Sequence, residues 1–363
     1  MKNDQYYMQL ALDLASSAKG KTNPNPLVGS VIVKDGTIVG TGLHRKAGEP
    51  HAEVHAVRMA GEHAKDATIY VTLEPCSHFG KTPPCANLVK EAGVKRVVVA
   101  MEDPNPAVAG RGIKLLRDAG IEVEVGVLEA EARRLNERFI HNMITSRPFV
   151  ISKFAMTLDG KIAAYNGHSQ WITSEAARED VHELRDEVDA ILVGVGTVLK
   201  DNPSLTTRLP DRTGKNPIRI ILDRQLRTPL QATICQTDVA RTIIVTSEVH
   251  DTTPFEAKGV EFVIVPTKEG KLDLNTTLEK LYTLGITDIL VEGGGEVNAS
   301  FLRTGLLQKF LVYVAPKVLG GRNSITPFTG EDIESIDMAM QLDFANVEKF
   351  GPDIRITAYP KEG

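Results

Sequence analysis

Short runs rich in valine and isoleucine recur along the whole chain, and stretches of helical spacing stand between them. Residues 68–73, 96–100 and 122–127 read as extended segments. Ahead of and between them, 51–62, 85–92 and 112–119 carry apolar side chains at helical intervals. Strands separated by helices of this length imply parallel crossovers and a sheet covered on both faces. Before this series, Tyr7, Leu10, Ala11, Leu14 and Ala18 form a helical stripe that stops at Gly20. Residues 27–33 and 38–42 then form a hairpin around Asp35-Gly36, whose glycine accepts positive φ.

Residues 128–144 are expected to form one charged helix, and Thr145-Ser146-Arg147-Pro148 a break. A second alternating series starts at Phe149, with strands expected at 190–193, 217–222, 242–245, Asp288–Val291 and 310–314. At roughly 150 residues per domain, a chain of 363 residues makes two α/β domains, 1–147 and 148–363.

Composition narrows the ligand. Net charge is −5 and there is no basic run of the kind that neutralises phosphates along a polynucleotide, so a small ligand is expected rather than nucleic acid. No apolar run approaches the roughly 20 residues of a membrane-spanning helix, and MKNDQYYMQL lacks the apolar core of a secretory signal. The expectation is a cytoplasmic protein without a membrane partner. Cys76, Cys85 and Cys235 are too few for a disulfide framework, so the close pair reads as metal ligands or buried thiols.

Three fragments belong together: His51-Ala52-Glu53, Pro75-Cys76 and Pro84-Cys85. One imidazole and two thiolates suit zinc, and three protein ligands leave a fourth position for water, the mark of a catalytic rather than a structural site. Zinc lowers the pKa of such a water towards ~7, and Glu53 is the carboxylate that can carry its proton to a leaving amine. Residues two apart on a regular helix lie about 200° around its axis. His51 and Glu53 therefore face one metal only if His51 sits outside helical geometry, at the helix start that Pro50 suggests. Cys85 after Pro83-Pro84 opens a helix, where free N–H groups favour a thiolate. Taken singly, each cysteine is as well explained as a core thiol. His51 and His55 are four apart, but Glu53 falls at the wrong place for HExxH. The three fragments together favour the catalytic site.

H-x-E followed by P-C and a second cysteine resembles the zinc nucleoside and nucleobase deaminases. Those usually carry P-C-x-x-C, whereas eight residues separate the cysteines here. The insert Cys76-Ser-His-Phe-Gly-Lys-Thr-Pro-Pro-Cys85, with Thr22-Asn-Pro-Asn-Pro-Leu-Val-Gly29 and Glu102-Asp-Pro-Asn-Pro106, is similar to one branch, the deaminase half of the bifunctional riboflavin-biosynthesis deaminase/reductases. That resemblance implies a cytidine-deaminase-like three-layer α/β/α domain, one zinc, and a diaminopyrimidinone substrate bearing a ribosylamino 5-phosphate. It also implies substrate contacts at Asn25, His44, His78, Lys81, Asp103 and Asn105. Lys81 and a histidine suit a phosphate, and Asn25 can read a ring amide.

In the second domain, Gly194-Val-Gly196-Thr197 and Gly293-Gly294-Gly295 each follow a strand and precede a helical stretch. Free N–H groups at such helix starts can cradle phosphate. Neither completes G-x-G-x-x-G, because Leu199 and Asn298 stand at the third glycine positions. These segments, with Thr157-Leu-Asp-Gly-Lys-Ile-Ala163, Ser169-Gln-Trp171-Ile-Thr-Ser174 and Asp201-Asn-Pro-Ser-Leu205, resemble the reductase half of the same family. The resemblance implies a dihydrofolate-reductase-like α/β domain that uses NADPH to reduce the ribosyl group to ribityl. It implies substrate contacts at Ser169, Arg185, Leu205, Arg208 and Glu292. Cofactor contacts are implied at Ala155, Trp171, Thr197 and Asp201, and along Gly294, Gly295, Glu296, Val297, Asn298, Ala299 and Ser300. Arg185 and Arg208 suit a bidentate grip on phosphate. Trp171, the only tryptophan, fits either a cofactor ring or the core. Lys153, Asp201 and Glu292 adjoin these motifs, and any of them can supply the proton that accompanies hydride transfer, with Lys153 the named candidate. A homo-oligomer is expected. Two other readings compete: a single-function deaminase with a degenerate second half, and a structural zinc whose fourth ligand is His55 or His78.

Overall fold

The architecture comes from a computed structural model and is described for residues 3–77, 84–106, 108–247 and 251–361. The chain divides into two compact units, Met1–Ser146 and Arg147–Gly363.

The first unit runs α1 (Asp4–Ser16), β1 (Gly29–Lys34), β2 (Thr37–Leu43), α2 (Ala52–Ala60), β3 (Thr68–Val71), α3 (Cys85–Glu91), β4 (Arg96–Val99), α4 (Arg111–Asp118), β5 (Glu122–Val125), α5 (Glu129–Leu135) and α6 (Glu137–Thr145). The strands lie in the order β2-β1-β3-β4-β5. β1 pairs antiparallel with β2 and β3, while β3, β4 and β5 are parallel. The sheet is therefore mixed: the expected hairpin supplies its antiparallel half and the expected crossovers its parallel half. Asp35 (φ 49°) and Gly36 (φ 77°) make the hairpin turn, the double positive φ that matches strand twist.

Three glycine contacts show that helices cover both faces. A Cβ on Gly29 would fall 1.9 Å from Ala11 O, so α1 lies directly on that face of β1. Cβ atoms on Gly40 and Gly42 would fall 2.3 and 2.1 Å from Ala56 O and Ala52 O of α2. Gly42 and Gly40 pair with Ser30 and Ile32, which point away from the Gly29 side because strand residues alternate. Thus α1 and α2 flank the sheet, and Val31, Ile32, Ile69, Val71, Val97 and Val99 fill the space between as a single core.

Residues 128–144 form two helices rather than one. The break falls at Asn136, whose side chain accepts from Leu27 N (2.8 Å) and donates to Leu27 O (3.0 Å). A contact 109 residues away in sequence thus decides the local geometry.

The second unit runs β6 (Phe149–Thr157), α7 (Glu175–Glu187), β7 (Ala190–Gly194), α8 (Val195–Asp201), β8 (Ile218–Leu222), β9 (Thr242–Thr246), α9 (Thr253–Glu256), β10 (Glu261–Ile264), β11 (Thr267–Lys268), β12 (Lys271–Leu272), α10 (Leu274–Thr283), β13 (Asp288–Val291), α11 (Gly295–Arg303), β14 (Lys309–Ala315), β15 (Leu342–Phe350) and β16 (Asp353–Pro360). Nine strands form one sheet, β10-β9-β8-β7-β13-β6-β14-β16-β15. All pairs are parallel up to β14, and the C-terminal hairpin closes the sheet antiparallel. Its central strands are buried along their length, as a sheet covered on both faces requires.

Candidate functional site

In the first unit the chemistry gathers at the starts of α2 and α3 and the segment after β3. His51 is the N-cap of α2 with an extended backbone (φ −70°, ψ 165°). It therefore escapes the helical repeat that would turn it away from Glu53, two residues on in the first turn. Cys85 opens α3 behind Pro84. Its N–H donates to Cys76 Sγ (3.3 Å), and Ala86 N–H donates to Cys76 O (3.1 Å). The start of α3 thus holds the Cys76 segment against itself.

His51 Nδ1, Cys76 Sγ and Cys85 Sγ lie within 4.8 Å of one another, with Nδ1 3.7 Å from Cys76 Sγ and 3.3 Å from Cys85 Sγ. Tetrahedral zinc with bonds of about 2.3 Å to sulfur and 2.0–2.1 Å to nitrogen sets N···S edges of roughly 3.5 Å, so this donor set fits that ion. A hydrogen bond from Cys85 holds the Cys76 thiol well below the usual range. Glu53 is 3 % exposed and hydrogen-bonded to Cys85; burial pushes its carboxyl up to about 7. Among the described residues His55 does not join the three donors.

His44 is buried edge-on to His51, with ring centroids 5.5 Å apart. Its Nδ1 lies 3.2 Å from Pro50 O, a pure acceptor, so Nδ1 carries the proton. Nε2 then accepts from Asn25 Nδ2 at 3.1 Å. Burial lowers the His44 pKa and keeps the ring neutral. Asn25 and His44 are therefore brought together beside His51. Asp103 and Asn105 share a turn in which Asp103 Oδ1 accepts from Asn105 N (2.9 Å). His78 and Lys81 lie outside the described residues.

In the second unit Lys153 on β6, Arg185 on α7 and Glu292 just beyond β13 converge. Arg185 donates Nε and Nη2 to the two Glu292 oxygens (3.0 and 2.8 Å) and Nη1 to Thr206 O (3.1 Å). Lys153 Nζ stands 3.9 Å from Glu292 Oε2. Burial favours a neutral Glu292, but Arg185 and then Lys153 outweigh it and hold the carboxyl at about 2. Burial lowers the Lys153 pKa against the pull of Glu292. In this structure the Arg185 fork expected to grip a phosphate is closed on Glu292. Arg208 Nη1 donates to Ser204 Oγ (3.0 Å) and Thr206 Oγ1 (3.1 Å), and its backbone N–H to His182 Nδ1 (3.2 Å). Leu205 between them is buried with φ 51°. Sequence reasoning missed His182. It lies three residues before Arg185 on α7, on the same helical face, which is the signal that could have found it.

Trp171 is 63 % exposed, which excludes the core role; Arg178 stacks on its ring at 4.6 Å. Ser169 is half-buried, and Ala155 pairs with Tyr313 across β6 and β14. Thr197 lies in the first turn of α8 and Asp201 ends that helix, exposed. Along the glycine run, Asn298 turns inward and donates to Pro327 O (3.0 Å), Ala299 is buried, and Ser300 Oγ donates to Glu296 O (2.8 Å). Val297 packs on Gly194 and Gly293. Val297 and Asn298 thus pack α11 against neighbouring segments, and the backbone around Gly294, Gly295 and Glu296 is what the helix start offers a ligand. No helix among the described residues is long and apolar enough to cross a membrane.

Comparison with known proteins follows the same division. Residues 1–101 match the family described as the cytidine and deoxycytidylate deaminase zinc-binding region, and 148–356 match the RibD C-terminal domain. The chain is 47% identical to a riboflavin biosynthesis protein RibD of Bacillus amyloliquefaciens, over 99% of this chain and 97% of that one. It is 40% identical to the solved RibD of Acinetobacter baumannii, with a TM-score of 0.88 and 99% of both chains covered. It is also 40% identical to a solved Thermotoga maritima diaminohydroxyphosphoribosylaminopyrimidine deaminase/5-amino-6-(5-phosphoribosylamino)uracil reductase, with a TM-score of 0.86 and 98% of both chains covered.

Proposed function

The chain belongs to the RibD family of bifunctional riboflavin-biosynthesis deaminase/reductases, and from that premise we propose which of its residues carry each reaction. It is a zinc-dependent deaminase joined to an NADPH-dependent reductase. A reductase match over 148–356 leaves no place for a degenerate second half. Residues 1–147 take the deaminase role and 148–363 the reductase role in this reading. The substrate is a diaminopyrimidinone carrying a phosphoribosylamino group, the chemistry named for the Thermotoga maritima relative.

His51, Cys76 and Cys85 hold the zinc, and the convergence of their three donor atoms beside buried Glu53 is the observation that carries the proposal. When bound, zinc supplies the acidity that makes water a nucleophile near pH 7. Glu53 takes the proton from the attacking water and returns it to the ring amine. The C–O bond forms, the C–N bond breaks and ammonia leaves. Neutral His44, with Asn25 fixed to its Nε2, orients the ring from the side of His51. Asp103 and Asn105 contact the remainder of the substrate, with His78 and Lys81 as further partners.

For reduction, the chain binds and orients; hydride chemistry belongs to the nicotinamide. Gly196 and Gly294 support a cofactor seat at the starts of α8 and α11. Among the described residues a Cβ at either would meet nothing within 4 Å, and neither has positive φ. Neither packing nor torsion among the described residues requires these glycines, and open space at a helix start admits close approach of a phosphate. Thr197, Asp201, Ala155 and exposed Trp171 complete that seat, with the helix-start run from Gly294 to Ser300 beneath it. Lys153 is the proton source as hydride reaches the sugar carbon, because its ammonium is largely shielded from solvent and stands beside Glu292. Arg208, Ser169 and Leu205 contact the substrate, and Arg185 acts by fixing Glu292. We place the enzyme in the cytoplasm, as the free cysteines suggest. The exposed Phe344 and Val347 on edge strand β15 favour a homo-oligomer.

A coupled assay tests the whole. Given the phosphorylated diaminopyrimidine, the purified chain should release ammonia and then oxidise NADPH, with neither reaction supported by an unphosphorylated nucleoside. Ammonia release without any NADPH oxidation would contradict it.

A further inference from the structure

Glu74 lies two residues before the zinc ligand Cys76, is 6 % exposed, and makes no ion pair among the described residues. Its backbone N–H continues the β3–β4 pairing by donating to Met101 O (3.0 Å). Its carboxylate is instead satisfied by four backbone N–H groups. Oε2 accepts from Asp103 (3.2 Å) and Gly110 (2.9 Å), and Oε1 from Gly112 (2.7 Å) and Ile113 (3.3 Å). Two physical consequences follow. Gly110, the N-cap of α4, has φ 73° and no capping side chain of its own, so Glu74 caps that helix from another part of the fold and meets the positive end of its dipole. A single oxygen also binds Asp103 and Gly110 together, which closes the turn that carries Asp103 and Asn105. Gly112 lets α4 approach closely, since a Cβ there would fall 2.0 Å from Pro75 O.

We propose that Glu74 is the positioning residue of the deaminase site, its carboxylate fixing the Asp103–Asn105 turn in register with the Cys76 segment and hence with the zinc. This rests on the reading of Asp103 and Asn105 as substrate contacts. A carboxylate suits the task because it offers only acceptors, enough for four converging donors at once. Charge-assisted bonds of this kind are roughly twice as strong as neutral ones.

Glu74→Gln tests it in the full chain, because the amide nitrogen cannot accept from two of the four N–H groups. The expected result is a KM for the diaminopyrimidine raised about tenfold, kcat changed less than about threefold, and bound zinc retained. Hydrogen exchange at the Asp103, Gly110 and Gly112 amides should quicken. Glu74→Asp, which keeps both oxygens, should bring KM part of the way back to its original value. Asp103→Ala and Asn105→Ala are measured beside them. Raised KM in those two with an unchanged KM in Glu74→Gln overturns the positioning role. Unchanged KM in all three overturns the substrate-contact reading beneath it. Zinc loss in step with lost activity in Glu74→Gln also overturns the proposal, making Glu74 a support of the metal ligands alone.

Discussion

Arg185 and Glu292, 107 residues apart in sequence, meet through two near-parallel N–H···O bonds of 3.0 and 2.8 Å. Both side chains are almost wholly shielded from solvent, and Lys153 shares the same carboxylate. The cluster is thus two largely shielded cations on one largely shielded anion.

Removing that anion should be costly. Glu292→Gln leaves Arg185 and Lys153 without a counter-charge, a defect that typically costs about 3–5 kcal/mol. Denaturant melts should show the reductase transition weakened by that order, with NADPH oxidation lost and ammonia release retained. An unshifted transition would contradict the charge balance described here.

Acid should weaken the same unit in two stages. Burial, then Arg185 and Arg208, push His182 down to about 4, below its ordinary 6.5, with Lys153 adding to them and Glu292 opposing. The unfolded chain therefore binds the proton first, and stability falls as pH drops from about 6.5 to 4. Glu292, held at about 2, adds a second loss as pH falls below about 4.5. Allowing for partial solvent screening, the His182 stage is on the order of 1–2 kcal/mol. Urea melts between pH 7 and 4 check it: His182→Gln should flatten the first stage, and an identical slope would refute the assignment.

The zinc donors were legible because each sits in a local pattern, a proline followed by a ligand, and because His51 could share a metal with Glu53 only at a helix start. The structure puts it there, with an extended backbone. What stayed hidden depends on distant partners. Arg185 read as a phosphate ligand because nothing near it in sequence reveals Glu292. The break at Asn136 is imposed by Leu27. β15 is exposed along most of its length, so no strong apolar alternation marks it in the sequence. Glu74 was passed over because its role lies in accepting backbone N–H groups, which leave no trace in residue type.

Gly196 offers a test in which stability and function part ways. Gly196→Ala places a methyl group in open space within a helical turn, which should stabilise the fold by about 0.5–1 kcal/mol. The same methyl group should raise KM for NADPH several-fold. Steady-state kinetics against NADPH, beside a thermal melt, reads both signs at once. An unchanged KM would remove Gly196 from the cofactor seat.

Chelation separates the two activities. Stripping zinc should stop ammonia release, while NADPH oxidation with the deaminated intermediate continues at its former rate. Re-addition of zinc should restore the first reaction, as followed by an ammonia-coupled assay. Parallel loss of both reactions would show that the metal supports the whole chain rather than one site.

The most direct measurement is ammonia release by Glu53→Gln with bound zinc quantified in the same sample. Glu53 lies buried in the first turn of the helix that His51 opens, and its amide analogue can neither take nor return a proton. The expected result is full zinc occupancy, no detectable ammonia and unaltered NADPH oxidation with the deaminated intermediate. Deamination at the original rate by a zinc-loaded Glu53→Gln enzyme would contradict it.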